Sequence, residues 1–250
     1  MLKKERELEI INLLKAKGGF ISVTELCTLL YASESSIRRD LTSLSDKGLI
    51  RRSYGGAELI TNYSDVIAFP KRAYHNREAK KIIAKKAAGL ISDGNIIFLD
   101  QSSSAFYLAN AIKNRSSLTV ITNNIEILSL LAQSNIKVIS SGGALSHENR
   151  SCLIGADAQY IFRNTLADFA FFSTKSVSDK GVISDCTREE VIVRNSMLSH
   201  AEKTVFLCDS EKYETNSPYI QCHLKDIDYF VGENDSNKRF LSLAPNLIIM

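Results

Sequence analysis

Apolar residues recur with helical spacing in the first 30 positions of the chain. Within residues 3–17 they lie on one face of a predicted helix: Ile10, Leu13 and Leu14. Gly18 and Gly19 follow, where the end of a helix is expected. Ser22 and Glu25 have the spacing of a capping box, in which the two side chains satisfy free backbone amides at a helix start. A second helix is therefore predicted, with one apolar face: Leu26, Leu29 and Leu30.

A third helical repeat has two chemically different faces. Ile37, Leu41 and Leu44 recur at i, i+4 and i+7, and the opposite side is polar. The sequence Asp-Lys-Gly at 46–48 ends this repeat, and LIRRSYGGAELI after it has the apolar ends and central Gly-Gly of a β-hairpin. Three short helices followed by a hairpin predict a winged helix-turn-helix domain over residues 1–57.

This arrangement predicts which residues meet DNA. The apolar face of the third helix packs on the first two helices, so its polar face is free to enter the major groove. Arginines on the wing reach phosphates or the adjacent minor groove. The candidate DNA-binding residues are Ser35, Ser36, Arg38, Arg39, Thr42, Arg51 and Arg52. The alternative is that the two Arg-Arg pairs only make a small helical domain more soluble.

The rest of the chain has a different pattern. Residues 58–74 are mostly polar and have no clear strand or helix repeat, which predicts a linker that leads into a helix ending at residue 90 or 91. From residue 96 short β-rich runs alternate with helical segments: IIFLD, LTVIT, IKVIS, DFAFFS, TVFLC and DIDYFV. The predicted fold class of residues 75–250 is therefore α/β, with a mostly parallel sheet.

Polar residues follow five of these six predicted strands. Because the carboxyl ends of parallel strands meet in one crevice, we expect these residues to form one site. Small hydroxyl residues and glycines at helix N-termini suit a phosphate, lysines add charge, and asparagines and aspartates suit sugar hydroxyls. The candidate effector-binding residues are Asp100, Gln101, Ser102, Ser103, Ser104, Thr122, Asn123, Asn124, Gly142, Gly143, Lys175, Asp209 and Lys212. Taken singly, a Ser-rich motif is more often a helix cap and a Ser-Gly-Gly motif is more often a tight turn, and Asp209 with Lys212 could form a surface ion pair.

Composition narrows the class of protein. The chain is 44% hydrophobic and 24% charged, as in ordinary globular proteins, and no apolar run approaches the roughly 18 to 20 residues of a membrane span. The N-terminus lacks the features of a secretory signal, so a cytoplasmic location is predicted. The five cysteines are scattered, without a C-x-x-C pair or a histidine at metal-binding spacing. We therefore expect reduced thiols, no metal and no cofactor.

The net charge of +3 is unevenly distributed. Residues 1–57 carry ten Lys or Arg against seven Asp or Glu, and residues 58–86 carry seven against three. The remaining residues carry fourteen against eighteen. This asymmetry favours a polyanionic partner at the N-terminal end, although a solvated charged surface is the alternative.

The sequence resembles the DeoR-type bacterial transcriptional regulators over nearly its whole length. The strings IRRDL and GLIRRSYGGA match the N-terminal helix-turn-helix domain of that family. Ser36 and Tyr54 depart from it: the family usually has threonine at the position of Ser36 and often has histidine at the position of Tyr54. FLDQSSSAFYLA, LTVITNN, VISSGGAL, CLIGADA and DSEKY resemble the family's sensor domain. Departures in this domain are Gln101-Ser102-Ser103, where Gly-Thr or Ser-Thr is usual, and Ser173-Thr174-Lys175, where a glycine-containing loop is usual.

The resemblance implies both a fold and a function. The sensor domain of the family is similar in fold to ribose 5-phosphate isomerase and typically binds phosphorylated sugars. The protein is thus expected to repress sugar-metabolism genes by binding a double-stranded DNA operator, and to respond to a phosphorylated sugar. We expect a homo-oligomer, a dimer or a tetramer, because a single winged helix contacts only a few base pairs.

Two other functions remain open from the sequence. The C-terminal domain could only oligomerise, without binding an effector. A sugar-phosphate isomerase would use carboxylates near the strand ends, and Asp100, Asp168 and Asp209 are in such positions. Asp168, however, lies at the start of its strand, where a structural role is more typical. We therefore expect that the protein is not an enzyme.

Overall fold

The computed structural model describes residues 3–17, 20–46, 49–53, 55–59 and 67–250. Several positions discussed above lie outside these ranges: Gly18, Gly19, residues 47–48, Tyr54 and residues 60–66 of the predicted linker. The chain forms two compact units, Met1–Asp65 and Val66–Met250. No helix within the described ranges is long and apolar enough to cross a membrane.

The first unit is a winged helix-turn-helix, as predicted. Its three antiparallel strands pair in the order β1-β3-β2, so the predicted hairpin gains a short third strand ahead of the second helix. The elements are α1 (Lys3–Ala16), β1 (Phe20–Ser22), α2 (Val23–Leu30), α3 (Glu34–Asp46), β2 (Ile50–Ser53) and β3 (Gly56–Leu59). The sequence did not predict β1, because three residues are too few to show a strand period.

Local chemistry explains where these elements begin and how closely they pack. The Ser22 hydroxyl accepts a hydrogen bond from the Glu25 amide at 3.1 Å and caps α2, which is half of the predicted capping box. The Glu25 carboxylate instead binds Lys17 Nζ at 2.6 Å. A Cβ atom on Gly56 would lie 2.6 Å from the carbonyl oxygen of Ile21, so only glycine lets β3 approach β1 this closely.

The core of the first unit uses most of the predicted apolar faces of the three helices, but Leu29 of α2 is exposed instead of buried. Its buried members from the helices include Ile10, Leu14, Leu26, Ile37, Leu41 and Leu44. Buried charged residues accompany them, and one of these, Asp40 of α3, is paired with Arg6 of α1. This pair joins α3 to α1 on the side away from its polar face.

The second unit contains six helices and twelve strands within residues 67–250. The helices are α4 (Phe69–Tyr74), α5 (Arg77–Ala88), α6 (Ser103–Ile112), α7 (Ile125–Leu131), α8 (Ala156–Arg163) and α9 (Arg188–Leu198). The strands are β4 (Ile96–Leu99), β5 (Thr119–Thr122), β6 (Lys137–Ser140), β7 (Ala144–Leu145), β8 (Leu153–Ile154), β9 (Ala167–Phe172), β10 (Ser176–Val177), β11 (Val182–Asp185), β12 (Ala201–Leu207), β13 (Tyr219–His223), β14 (Tyr229–Val231) and β15 (Ile248–Ile249). Short 3₁₀ turns occupy Ser210–Lys212, Leu224–Asp226 and Asp235–Ser242.

Seven parallel strands form the central sheet, in the order β15-β14-β12-β9-β4-β5-β6. All six predicted strands are in it, which confirms the α/β prediction; β15 was not predicted. Helices α5, α6 and α7 pack on one face of the sheet, and α8 and α9 pack on the other. The chain runs outward from β4 to β6 and then returns to the opposite side of β4 as β9. The strand order therefore reverses between β4 and β9, where open α/β sheets have their ligand crevice.

One element contradicts the predicted linker. Residues 69–74 form α4, whose Phe69 ring packs edge-on against Phe106 of α6 at 5.5 Å. Pro70 lies in the first turn of this helix, where proline is well tolerated because its missing N–H would have no partner there. The following helix, α5, ends at Ala88, slightly earlier than predicted.

Candidate functional sites

Helix α3 has the two faces that its sequence predicts. Ile37, Leu41 and Leu44 are buried in the core of the first unit. The predicted DNA-binding residues lie on the other side: Ser35, Arg38 and Arg39 are exposed, and Ser36 and Thr42 are half-buried. The surface of this helix is therefore free to enter a groove of DNA.

The side chains on this face are held in place by local bonds. Arg39 Nε donates to the carbonyl oxygen of Ser35 at 3.1 Å, and Arg38 Nε donates to Glu34 Oε1 at 2.8 Å. Arg52 on the wing donates from Nη1 to the Thr42 hydroxyl at 3.0 Å. The structure thus joins the wing to α3, whereas the Arg51 side chain lies outside the described part of the molecule.

At the carboxyl ends of β4 and β9, a buried aspartate joins two loops. Asp100 follows β4, and its Oδ2 accepts hydrogen bonds from the Ser173 amide at 3.1 Å and from Arg194 Nε at 3.0 Å. Its Oδ1 accepts from the Ser102 amide at 3.0 Å. Asp100 is completely buried. Both of its carboxylate oxygens are therefore used to hold the surrounding loops and α9 in place, and neither is a free acceptor for a ligand.

Arg194 of α9 is the cation of this buried cluster. Its Nη2 lies 2.9 Å from Asp185 Oδ2, and its Nη1 donates to Gln221 Oε1 at 2.7 Å. Burial alone would lower the pKa of Arg194, but the carboxylates of Asp185 and Asp100 outweigh burial and raise it. One guanidinium group thus ties β4, β11 and β13 to α9.

Glu190 extends the polar network along α9. It accepts hydrogen bonds from Gln101 Nε2 at 2.9 Å and from Asn149 Nδ2 at 2.8 Å. Burial raises the pKa of Glu190, and the nearby charge of Asp185 raises it further. Asn149 in turn accepts a hydrogen bond from Arg72 Nη2 at 3.1 Å. The network therefore reaches from the loop after β4 to α4.

Several predicted effector residues cap helices or turns. Ser102 caps α6, because its hydroxyl accepts from the Ala105 amide at 3.0 Å. Asn124 caps α7 by accepting from the amides of Glu126 and Ile127. The Thr122 hydroxyl accepts from the Asn124 amide at 3.1 Å. These hydrogen bonds fix the turns that lead from β4 into α6 and from β5 into α7.

Two other predicted residues keep buried polar atoms without a partner. Neither Ser104 Oγ nor Asn123 Oδ1 has a hydrogen bond among the described residues. Buried polar atoms are nearly always hydrogen-bonded, because leaving one unpaired costs about 1–3 kcal/mol. Ser103 and Ser104 lie in the first turn of α6, where backbone N–H groups and the helix dipole favour an anion. Polar groups that can receive a ligand are thus present in the first turn of α6 and directly after β5.

Two lysines stand beside this crevice. Lys212 Nζ donates to the Ser173 hydroxyl at 2.7 Å and lies 3.5 Å from Asp209 Oδ2. The pKa of Lys80 is lowered to about 8, mainly by burial and then by the charge of Lys212. Lys80 nevertheless keeps an acceptor, since its Nζ donates to the carbonyl oxygen of Arg72 at 2.6 Å. Two ammonium groups thus lie beside the Asp209 carboxylate on the α4–α5 side of the crevice.

The remaining predicted residues are more exposed. Gly142 and Gly143 both have positive φ angles, and Gly143 lies close to the N-terminal turn of α8. Lys175 is exposed, and no hydrogen bond in the described part of the chain joins it to the network. The structure thus gathers Asp100, Gln101, Asn123, Asp209 and Lys212 around the crevice and leaves Lys175 at its rim.

The sequence did not indicate six of the residues described in this network: Arg72, Asn149, Asp185, Glu190, Arg194 and Gln221. Glu190 and Arg194 carried the one available signal, since they stand four residues apart on a helix between buried apolar residues. Arg72 fell within the predicted linker, and Asn149 lies in a loop without a periodic pattern. Within the described ranges, no group of His, Cys, Asp and Glu has the arrangement of a metal site.

Comparison with known proteins identifies the family. Residues 6–63 match the DeoR-like helix-turn-helix domain, and residues 75–234 match the DeoR C terminal sensor domain. The chain is 33% identical to the HTH-type transcriptional regulator GolR of Listeria innocua, over 95% of this chain and 93% of that protein. It is 30% identical to the HTH-type transcriptional repressor GlcR of Bacillus subtilis, over 97% of this chain and 93% of that protein. The chain belongs to the DeoR family of transcriptional regulators.

Membership of this family decides between the functional classes that the sequence left open. The relatives are named as regulators and repressors, so the protein is a DNA-binding transcriptional regulator and not an enzyme. Among solved structures, the chain is similar to ribose 5-phosphate isomerase A from Methanocaldococcus jannaschii, with a TM-score of 0.42 and 20% identity over 55% of each chain.

Proposed function

We propose that this regulator represses sugar-metabolism genes, and that a phosphorylated sugar bound at the carboxyl ends of β4, β5, β9 and β12 controls its affinity for the operator. The observation that carries this proposal is a pair of buried polar atoms that have no partner among the described residues: Ser104 Oγ in the first turn of α6 and Asn123 Oδ1 directly after β5. The protein acts on cytoplasmic DNA as a homo-oligomer, so that paired α3 helices contact two half-sites.

The chemistry of the crevice favours a ligand with a phosphate and hydroxyl groups. The first turn of α6 offers backbone N–H groups and serine hydroxyls to a phosphate, and the Lys212 ammonium group adds charge. The amide side chains of Gln101 and Asn123 suit the hydroxyls of a sugar. Gly142, Gly143 and Lys175 complete the proposed site at its rim.

One observation favours the alternative, in which the second unit only oligomerises. Gln101 is completely buried and is already bonded to Glu190 and, at 3.4 Å, to Asn123. In this alternative the network serves only to stabilise the fold. Ligand titration separates the two functions.

Titration of pentose and hexose monophosphates into the full-length protein is expected to show binding tighter than 1 mM. In Lys212→Met, affinity is expected to fall by about 10-fold or more, since a hydrogen bond to a charged group contributes about 1.5–3 kcal/mol. Lys225→Met, at an exposed lysine in another turn, is the matched control. Operator DNA and ligand should change each other's affinity equally, by about 5- to 150-fold. If no sugar phosphate binds below 1 mM, or if binding is independent of the operator, the second unit only oligomerises.

Arg39→Ala is expected to weaken operator binding while the first unit stays folded, because Arg39 is exposed on the polar face of α3. A bidentate contact from arginine to guanine contributes about 1–3 kcal/mol of discrimination, so specific affinity should fall more than affinity for random DNA. Electrophoretic mobility shift with operator and random duplexes measures both, with Arg188→Ala in the second unit as control. Equal losses on both duplexes would make Arg39 a phosphate contact, and unchanged binding would contradict its place in the interface.

A further inference from the structure

An acidic residue begins the helix whose polar face is a candidate for DNA contact. Glu34 is the first residue of α3, and the next positions of its i, i+4 row are Arg38 and Thr42. The side chains of Glu34 and Arg38 are 61% and 53% exposed. At the other end of the row, the Thr42 hydroxyl accepts a hydrogen bond from Arg52 of the wing. Glu34 therefore starts a row that contains two candidate DNA-binding residues and reaches a third.

Glu34 and Arg38 form an exposed ion pair. Arg38 Nε donates to Glu34 Oε1 at 2.8 Å, and Arg38 Nη2 lies 2.7 Å from the same oxygen. Within the described ranges, no hydrogen bond reaches the other carboxylate oxygen of Glu34. An exposed pair of this kind changes an equilibrium constant by only about 2-fold, so a stronger acceptor readily takes Arg38 from Glu34.

The neighbouring arginine has a different environment. Arg39 Nε donates to the carbonyl oxygen of Ser35, and no carboxylate of the described residues forms an ion pair with it. The charge of Arg39 is thus available to any phosphate, whereas the charge of Arg38 is compensated by Glu34. Glu34 therefore lowers the attraction of α3 for phosphates, which carry no sequence information.

The carboxylate of Glu34 fits one base better than it fits the DNA backbone. In helix-turn-helix proteins the N-terminal residues of the recognition helix contact base edges, and Glu34 is at this end of α3. In the major groove a carboxylate accepts a hydrogen bond from the amino group of cytosine, whereas it repels a phosphate. Arginine donates to O6 and N7 of guanine, which a G·C pair presents beside the cytosine amino group. One G·C pair therefore suits both side chains at once.

We propose that Glu34 determines the sequence specificity of this regulator. On random DNA it keeps Arg38 from the phosphates, and in the operator it accepts a hydrogen bond from a cytosine amino group while Arg38 donates to the paired guanine. Specificity then comes from a group that weakens binding to the wrong sequence as well as from a contact to the right one. The inference rests on the proposed place of α3 in the DNA interface and is independent of the effector.

Binding-site selection from a library of random duplexes tests the base contact, with full-length wild type, Glu34→Gln and Glu9→Gln. Glu9 is the matched control, because it is an exposed glutamate on α1 and its replacement changes the net charge equally. Wild type and Glu9→Gln are expected to select the same half-site, and Glu34→Gln is expected to lose the preference for cytosine at one position. Mobility shift with the selected operator and a random duplex should show that discrimination falls by about 5-fold or more in Glu34→Gln.

The salt dependence of binding to random DNA tests the restraint on Arg38. In Glu34→Gln the slope of log K against log salt concentration is expected to steepen by about 0.9 per protomer, because Arg38 is then free to neutralise a phosphate. In the Arg38→Met background, Glu34→Gln should change this slope no more than Glu9→Gln does.

The outcomes separate the base contact, the restraint and the place of α3. Retained cytosine preference in Glu34→Gln overturns the base contact. A slope that stays at the wild-type value, or that steepens equally in Glu9→Gln, overturns the restraint on Arg38. If Arg39→Ala leaves operator binding unchanged, α3 is not in the interface and this inference fails with that assignment. If circular dichroism shows that Glu34→Gln is misfolded, the same criteria apply to Glu34→Ala.

Discussion

Replacing Arg194 with alanine is expected to lower the free energy of unfolding by about 3–5 kcal/mol, as is typical when one partner of a buried ion pair is removed. Arg194 is completely buried, and its guanidinium group lies within 3.0 Å of carboxylate oxygens of both Asp100 and Asp185. Without it, two carboxylates stay in the interior without this cation. Gln221 also loses its donor.

Equilibrium urea denaturation of the full-length chain measures this loss. Arg188→Ala is the matched control, because Arg188 is an exposed arginine in the first turn of the same helix, and surface substitutions usually change stability by less than about 0.5 kcal/mol. A loss of less than about 1 kcal/mol in Arg194→Ala would mean that water or neighbouring groups stabilise the two carboxylates in place of the guanidinium group. In that case the cluster would not be what holds α9 to the sheet.

The architecture could be predicted from the sequence because its main elements have clear periods. The central strands are short apolar runs such as Ile96–Leu99, which are typical of parallel strands covered on both faces. The amphipathic repeat of α3 determined both its buried and its exposed side. β15 has only Ile248 and Ile249, and it exists because β14 offers a free edge, which no local pattern shows.

The network could not be predicted because its members are far apart in the sequence. Asp100 and Arg194 are separated by 94 positions, and Arg72 and Asn149 by 77. Single-sequence patterns contain no information about such pairs without the fold that joins them. The pattern of polar strand ends located the crevice, but the same residue types also cap helices. Ser102 and Asn124 do so here, and the sequence alone could not separate that role from ligand binding.

Gly143→Ala is expected to destabilise the protein by about 1–3 kcal/mol more than Gly142→Ala, because only the first substitution adds a steric clash. Both glycines have positive φ, at 99° and 69°, so both substitutions carry backbone strain. A Cβ atom on Gly143 would lie 2.5 Å from the carbonyl oxygen of Ile154 and 2.8 Å from Cβ of Ala158, whereas one on Gly142 meets nothing within 4 Å.

The comparison of these two variants also separates two roles of the glycine pair. Urea denaturation gives the stability difference. Sugar-phosphate titration without denaturant, at a temperature where both variants are folded, gives the affinities. If Gly143 serves mainly to let the loop approach α8, Gly143→Ala loses stability and Gly142→Ala keeps most of it. If the two variants unfold at the same urea concentration, the close approach to Ile154 is not limiting. A loss of ligand affinity in Gly142→Ala would then mean that the pair serves the effector site, because its Cβ atom meets no protein atom within 4 Å and can only obstruct a ligand or shift the loop.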